Sequence, residues 1–295
     1  MIGPRIGRRA VGLAVLSLGC SRQRSSEAGA RDAAAPLVQE ELRFDGAAST
    51  RALVLAPASG GPFPILVALH GRGEAVRGAE VGAHGWLRDY KLDRSIAAVS
   101  SGRLTRDDLE GLVDDPERAR WTRDLAAHPY RGLVVVCPHT PDILAGTRSL
   151  HAADAFVEFV VDALLPRVRE RFSTTGAVGV DGVSLGGRIS LLAAARRPEA
   201  WRAVGALQPA VREAEIPAFV DELGSFRRRS SAPLRLVTST ADPFRPAVLG
   251  LDRELTRLGL DHEAVTLPGP HDYSFNRGPG GVSMLLFHDR ALRRA

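Results

Sequence analysis

Three residues of this chain, Ser184, Asp242 and His271, are of the types that together do acyl-transfer chemistry. A serine hydroxyl is a weak nucleophile at neutral pH. It needs a base that takes its proton as it attacks a carbonyl carbon, and the base needs a third group to hold its tautomer. Ser184 stands in Gly182-Val183-Ser184-Leu185-Gly186. In a chain with 30 glycines such a run can arise by chance, so its flanks decide its meaning. Before it, Val178 to Asp181 is a short run of small and β-branched residues suited to a strand buried on both faces. After it, Leu185, Ile189, Leu192 and Ala193 recur at helical spacing until Pro198. Strand, tight turn and helix is the setting of a nucleophile elbow. Glycine at 182 and 186 removes the Cβ atoms that would collide where strand and helix cross. The serine then sits at a helix N-terminus, where free N–H groups favour negative charge.

The elements that must position these residues alternate along the chain. Val38 to Phe44 and Arg51 to Ala56 read as an antiparallel pair of strands at a sheet edge. Pro64 to Leu69 is a continuous apolar run, as expected of a central parallel strand, and ends in His70-Gly71-Arg72-Gly73. Further strands are expected at Leu133–Cys137, Trp201–Leu207, Leu234–Thr240 and His262–Leu267. Helices are expected at Asp154–Phe172, kinked by Pro166, at Ile216–Arg229, at Pro246–Leu258 and at Val282–Arg293. The pattern predicts an α/β fold, a doubly wound, mostly parallel sheet covered on both faces. Ser184, Asp242 and His271 each fall just past the carboxyl end of a strand, and in such sheets those ends share one crevice. Between Glu74 and Arg131 the sequence is charged and broken by turns, with a helical stretch at Pro116–Ala127. It holds Trp86, Tyr90 and Trp121, and it is longer than one crossover helix requires. It reads as an insertion that leans over the site like a cap, and the alternative is a peripheral decoration.

Competing residues are weighed by the same geometry. His70 reads as a structural hydrogen-bonding residue of its turn. His262 begins the last strand and is expected to face solvent. His139 could approach the edge of the site but has no serine partner. Asp272 neighbours the proposed base and could cap a turn, whereas Asp252 lies inside a helix and suits a triad acid poorly. Cys137 closes an apolar run and reads as a buried thiol. No Cys/His cluster has zinc spacing, so no metal and no other cofactor is expected.

The chain has 295 residues, enough for one large α/β domain. Its formal net charge is +5, but Arg5, Arg8 and Arg9 stand in an acid-free N-terminus and the remainder is nearly balanced, so nucleic-acid binding is not expected. Residues 1–19 read as an export signal: three arginines, then an apolar stretch from Ala10 to Leu18 too short to span a bilayer. Leu16-Ser17-Leu18-Gly19-Cys20 resembles a bacterial lipobox with Ser17 and Leu18 exchanged. Cys20 is the expected lipid attachment site and a membrane the expected partner. The protein is thus expected to be exported to a bacterial cell envelope and anchored there, the alternative being an ordinary secretory signal and a secreted protein. Residues 20–36 read as a flexible tether and 37–295 as the folded domain, with the insertion at about 74–131.

Leu69-His70-Gly71, Gly182 to Gly187, Thr240-Ala241-Asp242-Pro243 and Gly269-Pro270-His271-Asp272 together resemble the α/β-hydrolase superfamily. Within it they resemble the esterase branch that includes esterase D and feruloyl-esterase-like proteins, over about residues 38–295. The resemblance implies an α/β-hydrolase fold and a serine hydrolase. Ser184 would be the nucleophile, His271 the base, Asp242 its orienting acid, and the substrate a small-molecule ester. It also implies an oxyanion hole made by the N–H groups of Arg72, with Gly71 or Gly73 as near alternatives, and of Leu185. A peptidase or acyltransferase on the same triad, and a non-catalytic tethered binding protein of the same fold, remain alternatives.

Overall fold

The computed structural model describes residues 36–293, except 47 and 147. The export signal, Cys20 and residues 20–35 of the tether lie outside the described residues.

Eight strands form one sheet: β1 (Leu37–Arg43), β2 (Arg51–Pro57), β3 (Phe63–Leu69), β4 (Val134–Pro138), β5 (Thr174–Gly182), β6 (Ala203–Leu207), β7 (Leu234–Ala241) and β8 (Glu263–Pro270). Their spatial order is β1-β2-β4-β3-β5-β6-β7-β8. β1 pairs antiparallel with β2, and β2 antiparallel with β4. All neighbours from β4 to β8 are parallel. The order reverses at β3, so the chain winds outward in both directions from the centre, and the crevice above the strand ends opens beside β3 and β5.

β3 and β4 are apolar at every position because both faces are covered. Successive side chains of a strand point to opposite faces. Accordingly Ile65, Val67 and Leu69 of β3 pack in one core with Phe156, Leu164, Ile189, Leu192, Phe219 and Leu251. Leu66 and Ala68 pack in the other, with Trp86, Leu92, Leu109, Trp121 and Phe275. The first layer is made by α4 (Asp154–Phe159), α5 (Leu165–Arg171), α6 (Leu185–Arg196), α7 (Ile216–Arg229) and α8 (Arg245–Arg257). A π turn at Val160–Leu164 joins α4 to α5 immediately before Pro166. A widened turn there accommodates a residue with no N–H to donate.

The segment from Glu74 to Arg131 supplies much of the second layer. It holds the second half of α1 (Arg72–Ala75), then α2 (Leu92–Ser100) and α3 (Asp115–Ala127). After β8 come the one-turn α9 (Tyr273–Phe275) and α10 (Gly281–Ala291), and α10 packs on α2. Trp86, Leu92, Leu104, Leu109 and Leu125 are fully buried against the sheet. The segment therefore covers a sheet face, and it reaches the crevice through Glu74 and Tyr90. Among the described residues no helix is long and apolar enough to cross a membrane.

One polar pair is built into the core beneath the elbow. His288 of α10 donates from Nε2 to Asp181 Oδ2 of β5 at 3.0 Å, and Asp181 Oδ1 accepts the Gly182 N–H at 2.7 Å. Both side chains are buried. Two glycines make room for them. A Cβ on Gly205 would lie 1.9 Å from Asp181 Oδ2, and one on Gly179 would lie 2.4 Å from His288 Nδ1. Overpacking such a site costs about 1–3 kcal/mol. Gly205→Ala is therefore expected to lower the unfolding free energy by about that amount in urea titrations. Gly176→Ala is expected to change it by less than about 0.5 kcal/mol, because a Cβ there meets nothing within 4 Å.

Candidate active site

Ser184 occupies a backbone conformation that few L-residues adopt, φ 56° and ψ −111°. It is the N-cap of α6. The turn is held from both sides: Val183 N–H donates to Leu69 O at 3.1 Å, Ser184 N–H to Leu207 O at 2.9 Å, and Ala210 N–H to Ser184 O at 2.9 Å. The surrounding structure thus overdetermines the strained residue, which is what such a conformation requires. The start of α6 crosses the end of β3 so closely that a Cβ on Gly186 would lie 2.2 Å from Leu69 O. One on Gly182 would lie 2.6 Å from the Gly186 carbonyl carbon.

His271 follows β8 and donates from Nδ1 to Asp242 Oδ1 at 2.8 Å. Asp242 follows β7 and its side chain is fully buried. Its remaining lone pairs are used: Thr238 Oγ1 donates to Oδ2 at 2.8 Å and Phe244 N–H to Oδ1 at 3.0 Å. This fixes the imidazole with a proton on Nδ1 and leaves Nε2 without a partner among the described residues. Ser184 and His271 line one cavity of about 300 Å³ with Gly71, Arg72, Gly73, Glu74, Tyr90 and Asn276 among its walls. No hydrogen bond joins Ser184 Oγ to His271 Nε2. In unliganded sites this contact is often long and tightens around substrate.

The glycine-rich loop after β3 faces the same cavity. Its first N–H, from Gly71, donates to Tyr90 Oη at 3.0 Å. Those of Arg72 and Gly73, in the first turn of α1, have no acceptor among the described residues, nor has that of Leu185 at the start of α6. Between the alternatives in this loop, Gly71 is therefore already engaged. Arg72, Gly73 and Ser184 line this cavity together, and Leu185 follows Ser184 in the chain.

His70 is buried and structural. It donates from Nδ1 to Gly71 O at 2.9 Å and accepts the Thr140 N–H at Nε2, also at 2.9 Å. Burial pulls its pKa down to about 3. His139 lies outside the cavity, with Nε2 3.3 Å from Ala75 O. Asp272 caps α9, accepting from Ser274 N–H at 2.8 Å. Cys137 is buried in β4, and burial raises its pKa. The expectation that His262 faces solvent is corrected: its side chain is only 5% exposed. It is held by Asp252 Oδ1 at 3.0 Å and Leu260 O at 2.8 Å. The strand starts one residue later than expected, which turns His262 onto α8.

Several residues of the site escape sequence reasoning. Glu74 is 1% exposed. It accepts from Tyr90 Oη, from Tyr273 Oη at 3.0 Å and from Arg77 Nη2 at 3.2 Å, so it ties the loop after β3 to the loop that carries His271. Burial, and then the adjacent Glu74 carboxylate, push the pKa of Tyr90 up. Gln208, buried at the end of β6 with φ 43°, donates from Nε2 to Ser239 Oγ at 2.6 Å and to Pro270 O at 2.9 Å, which anchors the residue before His271. An acid directly after a glycine-rich strand end, and a glutamine closing an apolar strand, are the only sequence signals for Glu74 and Gln208. Among the described residues no three His, Cys, Asp or Glu side chains form a metal-binding group.

A sequence model of the family described as "Putative esterase" matches residues 145–239, which include the elbow, β6 and all but the last two residues of β7. No curated protein sequence matches the chain. Among solved structures, a ferulic acid esterase is 15% identical, with a TM-score of 0.60 over 87% of this chain and 98% of its own. An S-formylglutathione hydrolase from Staphylococcus aureus is 12% identical, with a TM-score of 0.56 over 86% and 98%. A fluorophosphonate-binding serine hydrolase of the same organism is 12% identical, with a TM-score of 0.58 over 86% and 99%. At these identities the likeness is one of fold, and the fold is that of the α/β-hydrolases.

His70 gives the site region a pH dependence of known sign. Its pKa is about 3 when folded, against 6.5 ordinarily, so between these values the unfolded chain binds the extra proton. The stability that neutral His70 contributes is complete above pH 6.5 and is lost as the pH falls toward 3, at up to about 1.4 kcal/mol per pH unit. His70→Asn, whose amide can replace the donor to Gly71 O, is expected to show a shallower fall of the urea midpoint over that range.

Proposed function

We propose that this chain is a serine hydrolase that cleaves carboxylic esters through Ser184, His271 and Asp242. The observation that carries the reading is the joint geometry: a serine held at φ 56° on a helix N-terminus, in one cavity with a histidine whose other nitrogen is bonded at 2.8 Å to a buried aspartate. The fold likeness to hydrolases and the family match over the elbow support it.

The chemistry follows from the placement of the groups. His271 Nε2 takes the Ser184 proton as Oγ attacks the ester carbonyl, and Asp242 stabilises the imidazolium that forms. The carbonyl oxygen gains negative charge between the free N–H groups of Arg72 and Leu185, at the positive end of α6. Each such donor contributes about 10²–10³ in turnover. His271 then protonates the leaving alcohol, and a water activated by the same imidazole hydrolyses the acyl-enzyme. A peptidase or acyltransferase would share every step to the acyl-enzyme and differ in the group that leaves or accepts. The ester reading is preferred because the family match and the neighbours point to it. The export signal at residues 1–19 and the lipobox-like Cys20 make the same enzyme a lipid-anchored protein of the cell envelope. Labelled palmitate is expected to enter the full chain and not Cys20→Ala.

A fluorescent fluorophosphonate is expected to label the chain from residue 21 onward and to leave folded Ser184→Ala unlabelled. Labelling of both would mean that another serine is activated, and labelling of neither would refute the hydrolase reading. Asp242→Asn places a donor against Nδ1 and forces the wrong tautomer. It is expected to lower kcat on a nitrophenyl ester by on the order of 10⁴, while its urea midpoint stays close to that of the parent.

A further inference from the structure

Nearly every polar side chain around the catalytic cavity is already engaged. Glu74 accepts from Tyr90, Tyr273 and Arg77. Asp272 caps α9. Arg72 donates from Nε to both oxygens of Asp142 at 3.0 Å. His271 is bonded to Asp242. Setting aside the groups that do the chemistry, one polar side chain is left over. Asn276 lines the cavity and is 5% exposed. Its Oδ1 is buried without a donor, and no group among the described residues accepts from its Nδ2. A half-turn about its last torsion exchanges the two ends, so either end can be offered to the cavity.

An unpaired buried amide costs about 1–3 kcal/mol, and nothing in the fold requires one here. Asn276 stands just before a kink at Gly278, where the backbone leaves helical geometry between α9 and α10. The residue stands five positions after the proposed base, in the wall that includes Tyr273 and Tyr90.

We propose that Asn276 is a specificity residue that hydrogen-bonds a neutral hydroxyl of the substrate, carried by the acyl group or by the alcohol. The inference rests on the hydrolase reading above. A carboxamide pairs with a hydroxyl as donor or as acceptor. The carboxylates of Glu74 and Asp272 in the same walls disfavour a negatively charged group at this place. A site that bonds a substrate hydroxyl also discriminates against the analogue that lacks it, because its own polar group is then left unpaired.

The test uses matched ester pairs in which a hydroxyl replaces a methyl. For the acyl side these are nitrophenyl lactate against isobutyrate and β-hydroxybutyrate against isovalerate. For the alcohol side the pair is hydroxyethyl butyrate against propyl butyrate. Each kcat/KM is divided by the rate of the same ester with hydroxide, which removes intrinsic reactivity. In at least one pair the parent is expected to prefer the hydroxylated ester by about two- to tenfold, as one net hydrogen bond implies. The pair that shows it identifies the side of the ester. In Asn276→Ala and in the near-isosteric Asn276→Leu the ratio is expected to fall to about one, with Ser184 still labelled by fluorophosphonate. A parent that is labelled but shows ratios near one in every pair would overturn this inference and leave the hydrolase reading standing. So would a preference that survives in both variants. If neither variant takes the probe, the parent's ratios decide. An unlabelled parent would overturn the hydrolase reading, and the inference with it.

Discussion

The close crossing of α6 over the end of β3 is the constraint on which the site depends. The backbone at Gly186 approaches the Leu69 carbonyl so nearly that a methyl group would lie 2.2 Å from its oxygen. No relaxation of a flexible side chain can relieve such a contact, because the obstacle is the backbone of a central strand. The crossing has two results. It forces the turn at Ser184 into a left-handed conformation that lifts the hydroxyl clear of the sheet. It also brings the start of α6 against the end of β3, where the glycine-rich loop leaves the sheet. The local strain is offset by hydrogen bonds from the ends of β3 and β6 and from the loop after β6.

A second layer of order is polar. The loop after β3 and the loop after β8 are tied together by Glu74, whose buried carboxylate receives hydroxyls from Tyr90 and from Tyr273. Gln208 does the same for the ends of β6, β7 and β8 through Ser239 and Pro270. Buried polar groups of this kind hold position well when satisfied and are costly when not. They restrict the movement of the residues around His271 without contacting its side chain. Below the sheet ends, the Asp181–His288 pair ties the elbow strand to the C-terminal helix, in space left by Gly179 and Gly205.

The likeness to solved hydrolases is strong in outline and weak in sequence, at 12–15% identity over nearly the whole of each partner. This is the expected result when a fold is held by strand order, layer packing and a few backbone approaches that many side chains can support. It also explains why substrate preference does not transfer between such proteins. The cavity walls come from the long segment between β3 and β4 and from the turn after His271, and neither is part of what defines the fold.

By itself the sequence determined the alternation of strands and helices, the elbow, and the order Ser184, Asp242, His271, because these rest on local signals: periodicity, glycine at close approaches, and residue types at strand ends. Ile216–Arg229 was legible to the residue for the same reason, with Pro217 at its start and three arginines at its end. Tertiary structure decided the rest. It made the 74–131 segment a covering layer of the sheet, since its short apolar stretches find their partners on β2, β3, β4 and the helices after β8. It turned His262 inward onto Asp252. It gathered Glu74, Tyr90, Tyr273 and Asn276 around one cavity from positions up to 202 residues apart. Hydrogen bonds between segments so far apart depend on how the chain winds back on itself, and no local pattern encodes them.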